Sequence, residues 1–232
     1  MMTIAVFHGS PRKGNTYLAT KIVMNELAKC GDIHCSEFFL PDALPLLCTG
    51  CMLCFGGFRE KCPHARYVTP IVNELLTADA LVFATPHYGA CSMPGAMKNL
   101  LDHLAFLEFN VAPKAEMFQK KALVLTTGAG STAALKPVVK FLRHWGVNRV
   151  FSLGFRMFAH QWDQMPKTRQ ARFEKKLRLA ARKFFNASKG APYLSTVFHY
   201  HLSKFILKRY VGEGNYPYEY WKEKGYFKKR PF

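Results

Sequence analysis

Two groups of residues in the first 62 positions have the types and spacing to do chemistry. Cys48, Cys51 and Cys54 are each separated by two residues, and Cys62 follows after seven more with Pro63 behind it. Repeated Cys-x2-Cys steps let one loop wrap an iron–sulfur cubane, and a Cys-Pro pair completes the ferredoxin pattern. No second set exists, so Cys62 would close the same cluster. The expectation is one [4Fe–4S] cluster on Cys48, Cys51, Cys54 and Cys62. Two alternatives stay open. Structural zinc usually takes two ligand pairs separated by a longer loop, so three cysteines in seven residues crowd it. The thiols could also hold no metal. Cys30, Cys35 and Cys91 carry no spacing signal and read as small buried hydrophobes.

The second group is Gly9-Ser10-Pro11-Arg12-Lys13-Gly14-Asn15-Thr16. It follows the apolar run Met2 to His8, which reads as a strand. It precedes a helical pattern carried by Leu18, Ile22, Val23 and Leu27 and ended by Gly31. A loop between a buried strand and a helix start favours an anion, through free N–H groups and the helix dipole. Asn15 and Thr16 are suited to cap that helix. Ser10, Asn15 and Thr16 add donors, and Arg12 supplies a charge-assisted bond to phosphate. The glycine spacing is that of a nucleoside triphosphatase loop, but Asn15 stands where lysine is required. The dinucleotide fingerprint is absent too. A monophosphate is the better guest.

The elements that must position these groups alternate. Asp79 to Thr85, Lys121 to Thr127 and Arg149 to Phe155 read as further strands, and a second strand precedes the cysteine run. Helical patterns are expected from Pro94 to Leu107 and around Leu135, Val138, Val139 and Leu142. Alternation of this kind implies a parallel sheet covered on both faces, with ligands at the carboxyl ends of the strands. The loops that start at residues 9, 85 and 127 would meet on that rim.

The 232 residues carry 33 Lys+Arg against 15 Asp+Glu. The excess is uneven: residues 156–232 hold 18 and 5. Thr168 to Phe185 reads as a basic amphipathic helix with Phe173, Leu177, Ala180, Ala181 and Phe184 on its apolar face. Leu194 to Tyr210 is a second helical candidate, aromatic on one side and basic on the other. The division expected is an α/β domain over residues 1–187, including the cysteine-rich loop 48–62, and a basic aromatic extension over 188–232. The extension is expected to pack on its own core or on a sister subunit; a membrane surface and an acidic redox partner are the alternatives. Nucleic acid is set aside because no binding motif accompanies the charge. No leader or membrane span is read in the sequence, so a cytoplasmic protein is expected, in which disulfides are rare.

The strand with G-S-P-R-K-G-N-T, the cysteine run and T-P-H-Y-G at 85–89 together resemble the NAD(P)H-dependent FMN reductases of the flavodoxin-like fold, and more narrowly the iron–sulfur flavoproteins. The resemblance covers roughly residues 1–155. It implies a doubly wound five-stranded parallel sheet in three α/β/α layers, with the C-terminal helical, aromatic extension added. It implies FMN, with its phosphate on Ser10, Arg12, Asn15, Thr16 and Tyr17. Pro86, His87, Tyr88 and Gly89 would line the flavin ring, and Thr127, Gly128 and Gly130 would supply a third loop. NAD(P)H would be the electron donor and the assembly at least a homodimer. The expected activity is flavin-dependent electron transfer with the cluster as a one-electron partner; the alternatives are a cluster-free FMN or quinone reductase and a non-enzymatic flavin carrier. No side chain is assigned as a catalytic acid, base or nucleophile, because the redox chemistry belongs to the cofactor.

Overall fold

The computed structural model describes residues 1–89, 92–128 and 132–232. Five strands form one sheet: β1 (Met2–His8), β2 (Ile33–Phe39), β3 (Ala80–Ala84), β4 (Lys121–Gly128) and β5 (Arg149–Arg156). Their order is β2-β1-β3-β4-β5 and every pairing is parallel. The sequence explains the two-sided burial. Ile4 and Val6 face one core while Ala5 and Phe7 face the other, and β3 and β4 alternate in the same way. Strands apolar on both faces need helices on both faces.

One face is covered by α1 (Asn15–Cys30) and α6 (Lys167–Asn186). Ala19, Val23 and Leu27 of α1 meet Leu177, Ala181 and Phe184 of α6 in that core. Glu26 of α1 is buried there and accepts a 2.6 Å bond from Arg182 Nε, which holds its carboxyl below the usual range. The other face is covered by α3 (Ala65–Thr77), α4 (Gly95–His103) and α5 (Leu135–His144), with a single turn α2 (Leu40–Ala43) after β2. The buried Lys120 donates to the carbonyls of Leu76 and Ala78 at the end of α3, where the helix dipole favours a cation.

The helix expected over 94–107 stops at His103 and continues as a tighter turn over Ala105–Leu107. Gly31 ends α1 as expected, although in extended rather than left-handed backbone. Asn15 and Thr16 do not cap α1. The cap position is Gly14; Asn15 bonds to His160 O in the loop after β5 and Thr16 to Thr127 in β4.

After α6 come α7 (Leu194–Ile206), a π-helical turn over Leu207–Val211 and α8 (Tyr216–Glu223). These elements join the core that contains α3, α4 and α5. Trp221 is fully buried and its Nε1 donates to Phe109 O at 2.9 Å. Tyr220 donates to Pro113 O, and Tyr200 of α7 donates to Tyr226 O. Tyr200 and Trp221 stack with ring centroids 5.5 Å apart. The aromatic richness of the last 40 residues is therefore largely spent within the chain.

Candidate cofactor site

The loops after β1 and β3 meet beside Thr127 and Gly128 at the end of β4, while residues 129–131 of the third expected loop fall outside the described residues. Ser10, Arg12, Asn15, Thr16, Tyr17, Pro86, His87, Tyr88, Thr127 and Gly128 line one open cavity of about 770 Å3. That volume suits a cofactor-sized ligand. The cavity lies at the carboxyl rim of the sheet, where strand order turns from β1 to β3. Gly89 follows Tyr88 but is not part of the lining, and Gly130 falls outside the described residues.

The loops are fixed to one another by side chains. Gly9 N–H donates to Ala84 O, which ties the phosphate-type loop to the end of β3. A Cβ at Gly9 would lie 3.2 Å from two side-chain atoms of Met97, so only glycine fits this approach without a shift. Ser10 Oγ accepts the Arg12 N–H and lies 3.1 Å from the Tyr88 hydroxyl. Thr16 Oγ1 lies 2.6 Å from Thr127 Oγ1. Whichever of those hydroxyls accepts still has its own proton to give.

The residues present fit a phosphorylated flavin. The first turn of α1 begins at Asn15 without any side-chain cap, so its leading N–H groups remain free for an anion. Arg12 and Lys13 stand beside it. On the ring side, His87 Nε2 is buried and lacks a hydrogen-bond partner. A buried polar atom without a partner is costly, and a ligand heteroatom would satisfy it.

One wall was not foreseen. Residues 157 and 159–163, after β5, also line the cavity. Asn15 Nδ2 donates to His160 O across this wall. A left-handed backbone at Phe158 (φ 51°) turns its ring outward, under the Arg169 guanidinium at 5.6 Å. The signal available was positional: this loop follows the carboxyl end of the fifth strand.

The profile of the NADPH-dependent FMN reductase family matches residues 2–162. The chain belongs to this family. It is an oxidoreductase of flavodoxin-like fold. Among solved structures it resembles azoreductase AzrA at 17% identity and TM-score 0.61, covering 78% of this chain and 100% of that one. It also resembles the NAD(P)H:quinone oxidoreductase from Methanothermobacter marburgensis at 15% identity and TM-score 0.62, covering 80% and 98%. An NADH:FMN oxidoreductase (EMOB, apo form) matches at 22% identity and TM-score 0.56, covering 84% and 94%. At these identities the structural likeness speaks for the fold.

In this member of the FMN reductase family the cysteine loop is held at both ends by α4. Asn99 is buried; its Oδ1 accepts the Cys48 N–H, and its Nδ2 donates to Leu44 O and Leu46 O. One turn on, His103 Nδ1 donates to Asn99 O and its Nε2 lies 2.9 Å from His64 Nδ1, two residues past Cys62. Since a carbonyl only accepts, neutral His103 carries its proton on Nδ1 and takes the His64 Nδ1 proton on Nε2. Between these anchors Gly57 adopts a left-handed backbone (φ 85°) under Tyr216 of α8, whose ring would lie 2.5 Å from any Cβ. Replacing Asn99 with Leu would leave three backbone groups without this partner, at roughly 1–3 kcal/mol for each one that water does not reach. The expected outcome is a lower Tm together with faster alkylation of the half-buried Cys54.

The four cysteines share this loop but are not gathered into a ligand set. Cys48 and Cys51 are exposed, and Cys54 and Cys62 are half-buried. Burial pushes the Cys54 thiol up, and Cys48, Cys62 and Cys51 add to that. Among the described residues, no group of three or more His, Cys, Asp or Glu side chains is placed to hold a metal ion. As placed, these thiols do not form the donor set expected for a [4Fe–4S] cluster, and Cys54 packs against the core. Cys30 and Cys35 are half-buried rather than buried, and burial, aided by Glu37, pushes Cys35 up to about 11. Cys91 falls outside the described residues.

Three histidines are held below their ordinary value of 6.5, chiefly by burial: His8, His103 and His144. His8 lines the cavity and bonds Glu37 at 2.8 Å, which opposes the shift, while Lys13 and Lys21 reinforce it. His103 faces His64 and Asp102; His144 faces His199 and Lys140. The unfolded chain binds protons at these positions more readily than the folded one. Their contribution to stability is complete above pH 6.5 and is lost as pH falls through the folded values. Glu108, raised by burial, acts in the opposite sense nearer its ordinary 4.5. Thermal melts should show Tm falling between about pH 7 and pH 5, less so in a His103→Gln variant.

Proposed function

We propose that this chain is a NAD(P)H-dependent flavin reductase that holds FMN and works without an iron–sulfur cluster. The observation that carries the reading is the meeting of the loops after β1, β3 and β5 with the end of β4 on one cavity at the strand-order switch, with a cationic, uncapped helix start and the unpartnered His87 Nε2 in its walls. In this reading Arg12, Lys13, Ser10 and the first N–H groups of α1 hold the phosphate. Asn15, Thr16 and Tyr17 complete that end, and Thr127 and Gly128 form the middle. Pro86, His87 and Tyr88 flank the ring. When bound, FMN accepts hydride from the nicotinamide and passes reducing equivalents on. The chain's own residues bind, orient and exclude water. NAD(P)H is the proposed donor, on the strength of family membership. A small planar quinone or azo compound is the proposed acceptor class, by analogy with relatives named for those substrates. A homo-oligomer that covers the open cavity is part of the same proposal. So is the division of the chain at residue 187, which separates the cofactor domain from the C-terminal extension.

One observation favours a second reading. The four cysteines sit on one short loop with ligand-type spacing, and Cys48 and Cys51 are exposed. A rearranged loop that took a [4Fe–4S] cluster would make the protein an exchanger between two-electron and one-electron partners. Anaerobic purification followed by flavin and iron assays separates the two. Stoichiometric FMN without iron, together with NAD(P)H oxidation, supports the first. Near-stoichiometric cluster iron that survives Cys91→Ser but is lost in Cys54→Ser replaces it with the second. Bound FMN with no NAD(P)H oxidation leaves only a flavin carrier.

A further inference from the structure

The C-terminal extension leaves one helix face uncovered. In α7, Thr196, Tyr200 and Ser203 point inward, joined by Leu207 in the turn that follows. On the opposite side Leu194, Phe198, Leu202 and Phe205 recur at steps of four, four and three, the spacing of a single helix face. They are 90%, 62%, 41% and 57% exposed, and Tyr210 beyond them is 74% exposed. Large apolar side chains on adjacent turns amount to a patch rather than scattered exposure. The charge around them is of one sign. Between Glu174 and Glu213 the chain has nine Lys+Arg and no Asp or Glu. Lys204, Lys208 and Arg209 flank the patch, and among the described residues none of them forms a salt bridge. No helix of the described residues is long and apolar enough to cross a membrane.

We infer that this face of α7 docks on the surface of an anionic lipid bilayer. An apolar ridge one helix wide, flanked by cations that have no acidic partner among the described residues, matches the boundary between acyl chains and anionic headgroups. Leu and Phe enter below the headgroups while Lys and Arg stay among the phosphates. A second copy of the chain is the poorer match, because the same cations would be brought against themselves. The ridge comes from a segment outside the family match over residues 2–162, and it does not depend on what occupies the cofactor cavity.

The test is co-sedimentation of the full chain with vesicles of phosphatidylcholine alone and of phosphatidylcholine mixed with phosphatidylglycerol, read beside light scattering. The wild-type chain should pellet with the anionic vesicles, remain in the supernatant with neutral ones, and release as salt is raised. Phe198→Ser with Phe205→Ser should lower partitioning by roughly tenfold or more. Lys204→Gln with Arg209→Gln should lower it less and flatten its salt dependence. All six side-chain positions involved in these changes and in the ridge are solvent-facing or half-buried, so unchanged far-UV circular dichroism is expected and checks the fold. Absence of binding to anionic vesicles overturns the inference, as does binding that the Phe pair leaves unchanged. A wild-type oligomer that the same Phe pair dissolves, without vesicle binding, assigns the face to a second copy instead.

Discussion

Arg12→Ala combined with Thr16→Val should weaken FMN binding by roughly 10- to 100-fold while changing riboflavin affinity little. Arg12 stands at the cavity wall beside an uncapped helix start, with Lys13 next to it. A charge-assisted bond is worth about 1.5–3 kcal/mol, which is one to two decades of affinity. Thr16→Val removes one more hydroxyl at the phosphate end, the one that lies 2.6 Å from Thr127 Oγ1. Riboflavin lacks the phosphate and should not register the loss of Arg12. Isothermal titration of both ligands to the two single variants and the double variant measures the difference. Equal losses for both ligands would place the effect in the ring-side loops or in the fold rather than at a phosphate.

Trp221→Ala should be the most damaging single change in the C-terminal extension. The ring is fully buried, stacks on Tyr200 and donates to Phe109 O. Removing it leaves a cavity in the core that also holds α4 and α5, together with an unpaired carbonyl. Truncations of this type cost about 3–5 kcal/mol. For a chain of this size that corresponds to a fall in Tm on the order of 10 °C. The exposed Phe198→Ser serves as the control and should leave Tm nearly unchanged. If Trp221→Ala melted with the wild type, the extension would not be part of the main core.

The parallel sheet was legible because its strands are continuous apolar runs and its loops carry glycine at the turns. Strand β2 was the least visible. Its residues, Ile33–Phe39, are half-exposed at the sheet edge and include His34, Ser36 and Glu37, so no apolar run marks them. The loops after β1 and β3, and the end of β4, were legible through Ser10, His87 and Thr127. The loop after β5 was not, because Gln161, Trp162 and Asp163 have no phosphate-type pattern and enter the cavity only through the tertiary fold. Capping was misjudged for a similar reason. Asn15 and Thr16 have cap chemistry, but His160 and Thr127, more than a hundred residues away, claim their side chains. The cysteine spacing was a sound ligand signal by sequence. What spacing could not show is that Asn99, His64 and Tyr216 hold this loop in place, in an arrangement where no metal-binding group is found among the described residues.

The central claim is that this cavity holds FMN and that a nicotinamide reduces it there. The most direct measurement is anaerobic titration of the FMN-loaded protein with NADPH, followed through the visible band of oxidised flavin. The account predicts stoichiometric FMN and bleaching of that band by NADPH, with the Arg12→Ala protein bleaching only after excess FMN is supplied. Protein that retains FMN whose band is bleached by dithionite but by neither NADPH nor NADH would contradict it.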